Sequence, residues 1–136
     1  MKMRRPHTVP LARQSVELLR DLYKYTGHGR YIFPSPRTLS GSRPLSDAAL
    51  NVAMRLLGFE NSEVTVHGFR HTASTMLNES RLWSADAIGR ELAHVDNNNI
   101  RATYNAAEYL DERRKMMQWW ADRLDRLKAE SEARWR

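Results

Sequence analysis

The stretch "VTVHGFRHTAST", residues 64–75, places His67, Arg70 and His71 within five positions. Just before the histidine, "SEVTV" at 62–66 is brief and β-branched, which favours extended backbone. Beyond it, Phe69, Thr72, Ala73, Met76 and Leu77 recur on one face of a helix expected from about Gly68 to Glu79, with Thr65 placed to cap it. The polar cluster therefore sits where a β-like run gives way to a helix. Three readings compete for it: a metal site, a phosphate-gripping site, or the polar start of a surface helix.

The metal reading fares worst. His67 and His71 are four apart and would share a helix face, but a zinc-protease pattern needs a glutamate directly after the first histidine. Gly68 stands there instead. Arg70, a permanent cation, lies between the histidines and would repel a divalent ion. No metal is expected.

The phosphate reading fits the residue types. An arginine guanidinium presents a planar fork that matches two phosphate oxygens and keeps its charge. His67, three residues earlier, would point to the same place. A helix N-terminus adds free N–H groups and positive potential. His94 stands at the end of the next helix and Tyr104 follows ten residues later. This set suits phosphoryl transfer through a covalent phosphotyrosine, without metal or cofactor. Tyrosine, with an ordinary pKa of about 10, needs a base and surrounding cations to act as a nucleophile. A lysine can supply the proton to the departing sugar oxygen.

Composition agrees with a polyanionic partner. The 136 residues carry 22 Lys and Arg against 16 Asp and Glu, a net charge of +6, and the pI is about 10.1. At 41% hydrophobic and 28% charged the chain reads as a globular domain with a modest core. No apolar run approaches the roughly 18–20 residues of a membrane span. "MKMRRPHTVPL" lacks the apolar centre of a signal peptide. The absence of cysteine excludes disulfides and thiolate metal sites.

Around the central stretch the pattern is mostly helical. "MRRPHTVPL" is extended, Leu11–Tyr25 repeats apolar residues at helical spacing, and Gly27 suits its C-terminal cap. "RYIFPSP" reads as a short strand and "TLSGSRPLS" as a loop. Ser46 is the expected N-cap of a helix from Asp47 to Leu57, ended by Gly58. Ser84 is expected to cap a short helix over 85–93, "HVDNNN" to turn, and Ile100 to Ala107 to form a helix or turn. From Tyr109 to about Ala133 runs a long amphipathic helix with Met116, Trp120, Leu124 and Leu127 as its apolar stripe. The fold class expected is mainly α with a small antiparallel β element (α+β).

The ordered set "HGFRHTAST" (67–75), "ELAHVDNN" (91–98) and "IRATYNAAEYLDERRKMMQWWADRLDRL" (100–127) resembles the C-terminal catalytic domain of the tyrosine recombinases, specifically prophage-type integrases. "MRRPHTVPL" and "RYIFPSPR" add weaker matches. The resemblance implies that Arg70 clamps the scissile phosphate, His67 assists proton transfer, His94 hydrogen-bonds the phosphate, Tyr104 is the nucleophile, and Lys2 is the general acid. Arg4, Arg5, Arg37 and Arg43 are candidate contacts to the DNA backbone. Residues 1–108 would be part of the catalytic domain and 109–136 its helical tail.

The same resemblance implies a double-stranded DNA partner, a homo-oligomer on DNA with a dimer as one form, and a bacterial, cytoplasmic, nucleoid-associated setting. Its family carries a further catalytic arginine upstream of the lysine, which no residue here matches. The chain alone is therefore expected to be weak or inactive in recombination. The competing reading from another class is a non-catalytic DNA-binding or assembly module. Tyr109 is a rival nucleophile whose place on the tail stripe suggests packing. His7, His28 and His71 read as structural or solvent-facing, and the Trp119–Trp120 pair as helix packing.

Overall fold

The computed structural model describes residues 7–38, 41–93 and 109–135. Five helices lie among them: α1 (Arg13–Thr26), α2 (Ala49–Leu56), α3 (Val66–Ser80), α4 (Ala85–Glu91) and α5 (Leu110–Arg134). The chain divides into two compact units, residues 13–72 and residues 1–12 with 73–136, and the division falls inside α3.

The mostly helical character matches the periodicity, but no strand occurs among the described residues. "RYIFPSP" contributes one isolated antiparallel bridge, Pro34 with Pro44. Ser35 N–H donates to the Arg43 carbonyl and Leu45 N–H to the Phe33 carbonyl, both at 2.8 Å. Proline has no N–H, so Pro34, Pro36 and Pro44 stop the pairing from spreading into a ladder. "SEVTV" forms no strand either. The Glu63 and Val64 N–H groups both bond to the Glu60 carbonyl at 3.0 Å, and α3 already begins at Val66.

In the unit of residues 13–72, local rules set the helix ends. Gly27 follows α1, and its N–H bonds to the Tyr23 carbonyl at 2.8 Å. A Cβ there would lie 2.5 Å from that carbonyl oxygen and 2.6 Å from the Tyr23 ring, so close approach requires the glycine. At α2, Ala48 takes the N-cap position without a side-chain bond. Ser46, the expected cap, offers only its carbonyl, to Ala49 N–H at 3.0 Å. The C-terminus of α2 behaves as expected. Gly58 has φ 93, its N–H bonds to Arg55, and Phe59 N–H reaches back to Met54. This double closure is a Schellman motif, for which glycine is the best-suited residue. Neither α1 nor α2 contributes a buried residue. Leu18 is 71% exposed and Leu56 83%.

The other unit has the core. Leu77 of α3, Ile88 of α4 and Met116 of α5 are buried together, with Trp83, Leu92, Trp119 and Trp120 packed against them. Trp83 and Trp119 meet edge-on, with ring centroids 6.2 Å apart. Both members of the Trp119–Trp120 pair therefore pack against the core, as expected. Along the tail stripe Met116 is fully covered, Trp120 and Leu127 are partly buried, and Leu124 is 46% exposed.

Polar contacts lock the same elements. Ser84 caps α4 by accepting from Ala87 N–H at 3.2 Å. Glu112 of α5 accepts from Ser84 N–H at 2.7 Å and from its hydroxyl at 3.0 Å. A capping-box glutamate is thus supplied from a different helix. Arg113, 1% exposed, donates through Nε to Glu91 at 2.6 Å. Its Nη2 donates to the Thr8 carbonyl at 2.5 Å, and His7 Nε2 donates to the Glu91 carbonyl at 3.3 Å. One buried guanidinium therefore ties α5 to the end of α4 and to the segment before α1.

Candidate phosphate-binding site

α3 presents the site. The helix starts two residues earlier than the sequence pattern suggests, so His67 lies inside it rather than ahead of it. His67 and Arg70 are then three apart within one helix and share a face. Both side chains are exposed, as is His71. Thr65 caps the helix as expected, its hydroxyl accepting from Gly68 N–H at 2.9 Å. A Cβ at Gly68 would approach that hydroxyl to 3.2 Å, so the glycine gives the cap room.

The backbone offers less to an anion than the sequence implies. Val66 N–H donates to Asn51 Oδ1 of α2 at 3.1 Å, and Gly68 N–H is taken by Thr65. Two of the N–H groups expected to be free at this helix end are therefore already satisfied.

The start of α3 is pinned from α2. Asn51 and Arg55, four apart on that helix, reach the first residue of α3 and the connection before it. Arg55 Nη2 donates to the Val64 carbonyl, and its Nε to the Asn51 carbonyl at 3.4 Å. The sequence reading missed this pair. Its only prior signal was the i, i+4 spacing of two polar side chains on α2.

Arg37 and Arg43 are exposed and belong to one small loop closed by the Pro34–Pro44 bridge. Thr38 N–H bonds to the Ser35 carbonyl at 3.2 Å and Gly41 N–H to the Thr38 carbonyl at 3.1 Å. Tyr104, His94, Lys2, Arg4 and Arg5 lie outside the described residues. The described backbone on either side of residues 94–108 is left-handed at non-glycine positions: Ala93 has φ 47 and Tyr109 φ 48. Such conformations cost roughly 1–3 kcal/mol and persist only where surrounding structure holds them. Tyr109 serves as the N-cap of α5 and is partly buried.

α3 thus offers a histidine and an arginine on one face, in a chain of net charge +6. The chain matches the model of the phage integrase family over residues 1–110 and belongs to that family. It is 46% identical over 127 residues to the "Integrase" of Enterobacteria phage P4, covering 92% of this chain and 28% of that protein. It is 47% identical over 129 residues to "Prophage integrase IntZ" of Escherichia coli (strain K12), covering 95% of this chain and 31% of that protein. The "Integrase" of Shigella phage Sf6 is 42% identical over 126 residues, covering 92% of this chain and 32% of that protein. The chain thus spans less than a third of the length of these relatives. No solved structure matches it. Among the described residues, no helix is long and apolar enough to cross a membrane.

Proposed function

We propose that this chain is the catalytic part of a tyrosine recombinase that breaks and rejoins double-stranded DNA at specific sites, without metal or cofactor. The observation that carries the reading is the pairing of His67 and Arg70 on one face of α3 in a member of the phage integrase family. Residues 1–108 belong to the catalytic domain and 109–136 to its tail.

In this scheme Arg70 binds two oxygens of the scissile phosphate and His94 a further one. The Tyr104 hydroxyl attacks phosphorus while His67 receives its proton. The bond from phosphorus to the 5′-oxygen breaks, Lys2 protonates that oxygen, and a 3′-phosphotyrosine with a 5′-hydroxyl results. Attack by a 5′-hydroxyl of another strand reverses the steps and rejoins the DNA. Arg4, Arg5, Arg37 and Arg43 hold the flanking phosphates, a sequence-independent contribution that weakens with salt. The protein works as an oligomer on bacterial, cytoplasmic DNA. The 136-residue chain acting alone is weak or inactive in recombination, because no residue in it matches the family's further catalytic arginine upstream of the lysine.

A nicked duplex that traps the covalent intermediate tests this reading. The chain should form a slow protein–DNA adduct that disappears in Tyr104→Phe and in Arg70→Ala and persists in chelator. Duplex binding with no adduct at all would favour the non-catalytic DNA-binding module. Efficient strand exchange by this chain alone would contradict its incompleteness.

A further inference from the structure

We propose that Asn51, backed by Arg55, is a positioning residue for the phosphate grip: it fixes the first turn of α3 and thereby the directions of His67 and Arg70. The proposal rests on the phosphate-binding reading of that pair.

The N–H groups of a helix's first turn have no intrahelical partners, so an exposed helix start frays unless something outside the helix holds it. Here the holding groups come from α2. Asn51 Oδ1 accepts from Val66 N–H at 3.1 Å, while Arg55 donates to the Val64 carbonyl. The two contacts fall on either side of Thr65, the residue whose hydroxyl caps Gly68 at 2.9 Å. Backbone before the cap, the cap itself and backbone after it are all restrained. His67 follows within one residue of the last contact and Arg70 within one turn. A grip set before DNA arrives avoids the ordering cost of assembling it on binding.

The choice of asparagine fits the same purpose. An aspartate at position 51 would accept the same N–H, and a negative charge suits a helix N-terminus. It would also bring a negative charge to the helix end that carries His67 and Arg70. The neutral amide supplies the acceptor without the repulsion.

The test uses the whole chain and a fluorescently labelled duplex of mixed sequence, with affinity measured across a salt series. Removing one phosphate contact, in Arg70→Ala, should make the log–log salt slope shallower by about one. Asn51→Leu, close in size but without an acceptor, should have a comparable effect and add nothing in the Arg70→Ala background. Val66 amide exchange should quicken in N51L and stay slow in Asn51→Asp, which keeps the acceptor. The slope difference between N51D and N51D/R70A should remain about one, which also decides the matter if N51L fails to fold. Additive effects of N51L and R70A, or loss of that difference in N51D, would overturn the positioning role and leave Arg70's role standing. No change in R70A itself would overturn the phosphate reading, and this proposal with it.

Discussion

The two units of the chain are held together differently. The unit of residues 73–136 with 1–12 buries Leu77, Ile88 and Met116 against three tryptophans, and closes over the Arg113–Glu91 ion pair. The unit of residues 13–72 has two helices without a buried residue and leaves Leu18, Tyr25, Leu56 and Leu57 each more than 70% exposed. Its order comes from helix ends and turns: the Schellman closure at Gly58, the Thr65 cap and the bracket from Asn51 and Arg55. Apolar burial in one unit and polar connections in the other imply different sensitivity to substitution. The candidate phosphate-binding residues lie in the second kind of region, where rotating a helix end costs little unless side chains prevent it.

Substitutions can break that contrast. The largest effect should come from Glu91→Gln, which removes the charge that the buried Arg113 guanidinium meets at 2.6 Å and should cost about 3–5 kcal/mol. Urea unfolding followed by circular dichroism measures it. The apolar double variant R113M/E91L should recover most of the loss, because a filled apolar site avoids the desolvation of two charges. Met116→Ala comes next, at about 2–5 kcal/mol for a fully covered side chain that leaves a cavity. A loss well under that range would mean the core can collapse around the gap. Ser84→Ala removes both a cap and a partner of Glu112, and should cost about 1 kcal/mol. Least of all should be Leu56→Ser, which stays within about 0.5 kcal/mol for an exposed site. It should also lower the binding of an apolar dye. A large destabilisation there would show that the face is covered in solution and would erase the contrast.

Much of this arrangement was legible in the chain itself. The helices over 13–26, 66–80, 85–91 and 110–134, Ser84 as a cap, Gly58 as a stop and Thr65 as the cap of α3 follow from local rules, and each is present; the expected helix or turn over Ile100 to Ala107 lies outside the described residues. The strand reading of "RYIFPSP" overweighted side-chain propensity and underweighted three prolines that cannot donate to a ladder. Ser46 lost its role because α2 starts later, at Ala49, where no capping side chain is available. At the site, spacing alone put His67 and Arg70 together, and the earlier start of α3 makes that firmer. The free helix-end N–H groups were over-read, since Asn51 reaches Val66 from fifteen residues away. Arg113 meeting Thr8 across 105 residues is a product of tertiary packing and has no local signature.

Catalysis by this chain requires that Tyr104 become joined to DNA. Digesting the trapped protein–DNA adduct and sequencing the nucleotide-bearing peptide by mass spectrometry addresses it most directly. A single modified peptide carrying a 3′-phosphonucleotide on Tyr104 is expected. Attachment at Tyr109 or at any other residue, or an adduct that survives in Tyr104→Phe, would contradict it.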